Sequence, residues 1–158
     1  MNIWFWTVLL SLLPVAELRG GIPFAIANGM PWYTAYILCV LVNTMVAPIA
    51  YVFLDTFHKL FYRIGFYRRI FDNFVNKSRL KLEEKVERWG FWGIAVFVGI
   101  PLPITGAWTG TLGAWVLGIN RKKTMLAVFA GAVISGTIVT SIVMLGIHSF
   151  DFLIKHVS

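Results

Sequence analysis

The chain has 158 residues, of which 58% are hydrophobic and only 13% are charged. Soluble proteins carry charge on roughly a quarter of their residues, so this composition predicts an integral membrane protein. A net charge of +7 is compatible with nucleic-acid binding. The basic residues concentrate between apolar runs, however, as in a cytoplasmic loop, and we expect no nucleic-acid partner. One cysteine and three scattered histidines predict no disulfide, metal site or cofactor.

Four stretches of the chain contain no Asp, Glu, Lys or Arg: residues 1–16, 20–54, 89–120 and 124–150. The last three are longer than the roughly 20 residues that a helix needs to cross a hydrocarbon core about 30 Å thick. The N-terminus lacks the positive segment and the small-residue cleavage site of a signal peptide, so we expect it to be retained.

The first apolar stretch is interrupted by charge. At roughly 1.5 Å per residue, residues 3–13 reach only about half way across the core. Residues 24–30 are apolar again and run into a turn signal, the Asn-Gly-Met-Pro sequence at residues 28–31. Two half-length arms around a Pro- and Gly-rich tip predict a re-entrant hairpin over residues 1–29. The residues expected to break it are Pro14, Gly20, Gly21 and Pro23.

The next segment, residues 31–54, is long enough for a full span, in which Pro48 predicts a kink and Asn43 and Thr44 could bond the freed carbonyls. Residues 55–90 form a basic, amphipathic connector. It is expected to contain a helix lying in the membrane interface and a second short helix from Ser78 to Gly90. The apolar face of the interface helix comprises Leu60, Ile64, Tyr67, Phe71 and Phe74.

The hairpin pattern appears again over residues 91–119, followed by a second span over residues 124–150. If residues 91–119 re-enter and return, the connector and the cluster Arg121–Lys123 both lie on the cytoplasmic side, as the positive-inside bias requires. The residues expected to break this hairpin are Pro101, Pro103, Gly106 and Gly110.

The two hairpins are related by an offset of 89 residues, which superposes Gly21 on Gly110 and Gly29 on Gly118. We therefore predict one all-α membrane domain over residues 1–158. It is built as an inverted repeat of re-entrant hairpin plus transmembrane helix, with residues 1–54 as the first repeat and 91–150 as the second. One hairpin and one span per half make the halves face opposite ways. Their broken tips are then expected to meet near the midplane.

The motifs at residues 14–23 and 101–110, PVAELRGGIP and PLPITGAWTG, resemble those of the putative small multidrug export protein family. More distantly, the arrangement is similar to the DedA/VTT superfamily, which implies translocation or scrambling of lipid carriers and, in several members, proton coupling. The resemblance implies an essential acid in the first hairpin, which Glu17 matches, and an arginine in the second. This second hairpin has no arginine and offers Thr105, Trp108, Thr109 and Thr111 instead.

Glu17 and Arg19 are the charged residues of the first tip, and each costs about 2.5 to 3.5 kcal/mol at bilayer depth on insertion scales. Glu17 could bind and release a proton or a cationic substrate, or it could form a permanent structural pair with Arg19. Arg19 could instead bind a phosphate. In the second tip, Thr105, Thr109 and Thr111 could line a pathway. Trp108 could stack on a cation or an aromatic drug, or it could simply face lipid or the core. Threonines in apolar helices also bond simply to the preceding turn.

Three functions remain open: proton-coupled export of small amphipathic molecules, translocation or scrambling of a lipid or polyprenyl phosphate, and a structural role without transport. An enzyme is least expected, since no nucleophile–base pair or metal set is visible. We expect an inner or plasma membrane location, contact with membrane lipids and a homodimer. The surface expected for self-association is the small-residue stripe Gly131-x-x-x-Ser135 and Ala132-x-x-x-Gly136.

Overall fold

The computed structural model describes residues 2–61, 65, 89–102 and 105–157, and the secondary structure in these residues is entirely α-helical. Most of the predicted connector, including its short helix from Ser78 and all but the beginning of its interface helix, lies outside the described residues. The described helices are α1 (Ile3–Leu12), α2 (Glu17–Ala27), α3 (Trp32–Thr44), α4 (Val46–Phe61), α5 (Trp89–Gly99), α6 (Ala107–Val116) and α7 (Arg121–Val157).

Two helical segments are long and apolar enough to cross a membrane, Trp32–Phe57 and Arg121–Ile147, whereas α1 and α5 are apolar but shorter. The outer faces of the long segments expose large apolar side chains. Soluble monomers rarely expose contiguous apolar patches larger than a few hundred Å², so these surfaces suit a hydrocarbon environment. The residues are Ile37, Leu41, Ile49, Val52, Phe53, Leu126, Phe129, Ile142 and Leu145.

The first hairpin consists of α1 and α2, which pack against each other across a turn at residues 13–16. Pro14 lies in this turn, as predicted. The prediction that Gly20, Gly21 and Pro23 break the helix is wrong, because all three lie inside α2. The glycines allow close packing instead. A Cβ on Gly21 would collide with the Ser11 hydroxyl of α1.

The first long span is interrupted at Met45, between α3 and α4. The cause is Pro48, which has no N–H to donate to the Thr44 carbonyl and whose ring crowds it. Thr44 Oγ1 bonds the carbonyl of Val40 in its own helix, 2.8 Å away. Asn43, expected to do the same, instead donates from Nδ2 to the Ser11 carbonyl of α1. The helix then continues past the predicted end at residue 54 to Phe61.

The second hairpin consists of α5, a non-helical break over residues 100–106, and α6. Pro101 and Gly106 lie in this break, and Pro103 lies outside the described residues. Two predictions are wrong. Gly90, the expected end of the short connector helix, belongs to α5, and Gly110 lies inside α6, where a Cβ would press on Val98 of α5.

Helix α7 is the central element, because it contacts α2, α3, α4 and α6 and also packs against α5. Gly131 lets α5 approach, since a Cβ there would meet Val98 and the Ala95 carbonyl, and Gly136 lets α3 approach at Val40 and Tyr36. The predicted self-association stripe is therefore buried within one chain, and its use as an outer surface is wrong. Its remaining members, Ala132 and Ser135, are 0% and 5% exposed.

Helix boundaries recur at the 89-residue offset. Both α2 and α6 end in a left-handed glycine, Gly29 with φ of 88° and Gly118 with φ of 70°. In both, the N–H of the residue after the glycine donates to the carbonyl five residues earlier, at 3.0 and 2.9 Å, which is the Schellman arrangement. Helices α3 and α7 begin 89 residues apart, at Trp32 and Arg121. The opposite orientation of the halves in a membrane stays a prediction.

Candidate functional site

Glu17 is the first residue of α2 and is only 6% exposed, although it follows a turn whose apolar residues Leu13 and Val15 are exposed. Its φ of 47° lies in the left-handed region, where it is the one non-glycine residue among those described. A non-glycine residue in this conformation costs of order 1–3 kcal/mol. The surrounding contacts must therefore hold Glu17 in place.

The Glu17 carboxylate lies at the N-terminus of α6, in the other hairpin. The Trp108 N–H donates to Oε1 across 3.5 Å, and the Ala107 N–H is directed at the same carboxylate. The first N–H groups of a helix have no partner within the helix and carry partial positive charge. Glu17 therefore caps α6. Gly106 makes room for this contact, because a Cβ at that position would overlap the carboxylate.

Trp108 forms a second connection between the hairpins. Its indole Nε1 donates to the Leu12 carbonyl at 2.8 Å, and Leu12 is the last residue of α1. Terminal carbonyls of a helix need partners from outside the helix. The Trp108 indole thus provides a partner for the last carbonyl of α1. The two hairpin breaks lie in direct contact through Glu17 and Trp108.

Arg19 lies in the first turn of the same helix and is half-buried. Among the described residues, the Glu17 carboxylate and the Arg19 guanidinium form no ion pair within 4.0 Å. The hydrogen-bond partner of Glu17 is the start of α6. The Arg19 guanidinium attracts the carboxylate from a distance, without the direct contact of an ion pair.

The threonines of the second hairpin differ in their surroundings. Thr105 Oγ1 donates to the Ile100 carbonyl at 2.5 Å and accepts from the Leu102 N–H at 3.1 Å, so it organises the break itself. Thr111 is buried and bonds back to Ala107 at 2.6 Å. Thr109 is exposed on the outer face of α6. Only Thr109 of these three therefore presents its side chain outward.

A polar cluster at the other end of α6 went unpredicted. Asp55 accepts from Trp115 Nε1 at 3.0 Å and from Arg121 Nη2 at 2.7 Å, while Arg121 stacks over the Tyr51 ring at 5.3 Å. Tyr51 in turn donates to Thr124 at 3.0 Å. The signal in the sequence was an acid, Asp55, at the predicted end of the first span and a base, Arg121, just before the second span. These contacts tie α4, α6 and α7 together.

No group of three or more His, Cys, Asp and Glu side chains that could hold a metal ion occurs in the part of the chain that the structure describes. The groups that meet at the hairpin contact are one carboxylate, helix-terminal N–H groups, an indole and a neighbouring guanidinium. Such a set can bind a proton, a cation or an anion reversibly.

Comparison with known proteins identifies a family. No curated protein and no solved structure matches the chain. The more distant similarity to the DedA/VTT superfamily stays a prediction. A family model described as putative small multi-drug export protein matches residues 17–138, which is more than three quarters of the chain and includes both hairpin breaks. The protein therefore belongs to the putative small multi-drug export family and is a membrane protein.

Proposed function

We propose that the protein exports small amphipathic molecules across the inner or plasma membrane, with Glu17 as the group that binds a proton or a cationic substrate. The observation that carries the proposal is the Glu17 carboxylate at the N-terminus of α6. An ionisable residue within the membrane-spanning part of a chain is functional by default, because its cost must be offset by a role.

The cap gives Glu17 two alternative states. As a carboxylate it accepts N–H groups and is attracted by the helix dipole, a stabilisation of up to ~2 kcal/mol in partly buried geometry. A carboxylate has about four acceptor sites, so capacity remains for a proton or a cation. A protonated or cation-paired Glu17 holds α6 less strongly, and occupancy of the site is thereby linked to the contact between the hairpins.

The test is transport by Glu17→Gln in reconstituted vesicles. Glutamine keeps the size of the side chain and one carbonyl acceptor for the α6 N–H groups, but it can neither ionise nor exchange a proton. We expect a correctly folded variant with export of a fluorescent cationic substrate reduced at least about tenfold. Full transport by a folded Glu17→Gln protein would contradict the proposal.

A second candidate function is translocation of a lipid or polyprenyl phosphate. It is favoured by Arg19, which is half-buried and forms no ion pair with Glu17. The planar guanidinium suits bidentate phosphate binding. In this case Arg19→Ala abolishes flipping of a labelled phospholipid and Glu17→Gln does not. For an exporter, Glu17→Gln abolishes transport of the cationic substrate and Arg19→Ala does not. If neither variant alters drug flux or lipid flipping, the remaining interpretation is a membrane protein without transport activity.

A further inference from the structure

Two apolar grooves flank α6 on its outer side. The first, between α4 and α6, has a volume of about 190 Å³ and is lined by Ala50, Phe53, Leu54, Trp108, Thr109 and Leu112. The second, between α5 and α6, has a volume of about 220 Å³ and is lined by glycine and aliphatic residues together with Phe97 and with Thr109, which also lines the first groove. The two grooves are similar in size. The first has two aromatic lining residues, Phe53 and Trp108, and the second has one, Phe97. Only the first includes a residue that contacts Glu17.

We infer that the α4–α6 groove binds the ring system of a lipophilic aromatic cation, an inference that rests on the proposed export function. The groove would be the apolar half of the substrate site and Glu17 its ionic half. A volume near 190 Å³ suits two or three fused aromatic rings, with the open side of the groove admitting substituents.

Two of the six residues lining this groove are aromatic, Phe53 and Trp108, and both have contacts that restrain them. Trp108 is held by its hydrogen bond to the Leu12 carbonyl, and Phe53 packs on Phe57 with ring centroids 4.2 Å apart. Aromatic faces attract cations by about 0.5–2 kcal/mol, with tryptophan the strongest. A preformed wall also loses little side-chain entropy on binding.

The charge that would attract a cation is that of Glu17, because the groove itself is uncharged. None of the residues lining the α4–α6 groove is acidic or basic. Its link to Glu17 is Trp108, whose side chain lines the groove and whose main-chain N–H donates to the carboxylate. A molecule bound in the groove therefore contacts the residue whose main-chain N–H holds the Glu17 carboxylate. The groove on the other side of α6 includes neither Trp108 nor another residue that bonds Glu17.

The alternative occupant is a lipid acyl chain. An acyl chain has no charge and no ring, so it should enter both grooves to a similar extent and should be indifferent to Glu17. Binding that requires one groove and one carboxylate therefore distinguishes an aromatic cation from lipid.

The probes are 10-methylacridinium, a fused aromatic cation, and acridine, its uncharged counterpart at neutral pH. Binding to the purified full chain in lipid nanodiscs is followed by probe fluorescence. Leu112→Trp fills the α4–α6 groove from an exposed position, and Phe53→Ala removes an exposed aromatic wall. The matched control is Gly113→Leu, which fills the other groove at a site where a Cβ meets nothing within 4 Å.

We expect Leu112→Trp and Phe53→Ala each to weaken methylacridinium binding by about tenfold or more, equivalent to ~1.4 kcal/mol. Gly113→Leu should leave the affinity unchanged. Glu17→Gln should weaken binding of the cation but not of acridine. Folding of each variant is verified by its thermal unfolding profile.

Three outcomes would overturn the inference. Equal weakening by Gly113→Leu would place the probe elsewhere or in both grooves. Loss of binding in Glu17→Gln alone, with the groove variants unaffected, would exclude the groove while the proposed export function stands. The third outcome is equal affinity for methylacridinium and acridine, with no effect of Glu17→Gln on either. The groove would then bind aromatic rings regardless of charge, which contradicts both the preference for a cation and the role proposed for Glu17.

Discussion

At the scale of single residues, Glu17 has a partner that its neighbours in sequence do not reveal. An acid two positions before an arginine suggests an ion pair, but the carboxylate turns toward the start of α6, some ninety positions further along the chain. The sequence indicates that an intramembrane charge needs a partner. It cannot indicate a helix terminus as that partner, because any helix start offers the same N–H groups.

Gly106 tests this contact. In Gly106→Ala the new Cβ overlaps the Glu17 carboxylate, which must move away and give up its N–H partners. Hydrogen bonds to charged groups are worth about 1.5–3 kcal/mol, so we expect a loss of stability of that size. The measurement is the midpoint of thermal unfolding in detergent.

Gly113→Ala is the matched control within the same helix. Its Cβ meets nothing within 4 Å, and alanine favours the helix over glycine by up to about 1 kcal/mol. Unchanged or slightly raised stability is expected. If the two variants behave alike, the cap contributes nothing to stability.

At the scale of helices, the sequence predicts where elements exist better than where they begin. Pro14 and Pro48 correctly indicated interruptions, because a missing N–H and a rigid ring act locally. Gly20, Gly21 and Pro23 were expected to break the helix but lie within α2. The difference is tertiary, since Gly21 is needed for close approach to α1, and a proline inside a membrane helix is tolerated when neighbouring groups compensate.

The ends of α2 and α6 provide a prediction for the repeat. Gly29 and Gly118 both have positive φ, where alanine is strained by roughly 1–2 kcal/mol. Gly29→Ala and Gly118→Ala should therefore lower the unfolding midpoint to a similar degree, and asparagine at either position should recover part of the loss. A large effect at one site and none at the other would mean that the two helix ends are not equivalent.

At the scale of the whole molecule, the small-residue stripe of α7 holds the chain together internally. Gly131→Ala places a Cβ against Val98 and the Ala95 backbone, and overpacking of this kind typically costs about 1–3 kcal/mol. We expect it to destabilise the monomer without specifically changing the oligomeric state, as judged by unfolding and by size in detergent.

Gly146→Ala is the control for the same helix, since its Cβ meets nothing within 4 Å, and it should be neutral. Dissociation of an otherwise stable oligomer by Gly131→Ala would restore the stripe to the role that the sequence suggested. The homodimer itself stays a prediction, and its interface would have to use another surface.

The proposed transport requires two hairpins that open to opposite faces of the membrane, and this inverted arrangement is itself a prediction. The most direct measurement is thiol labelling of single cysteines at Val15 and Leu102, both exposed beside the two breaks, in a Cys39→Ala background. An impermeant reagent is applied to oriented vesicles from each side. We predict that Val15→Cys reacts from the outside and Leu102→Cys from the cytoplasmic side. Labelling of both from the same face would contradict the inverted arrangement.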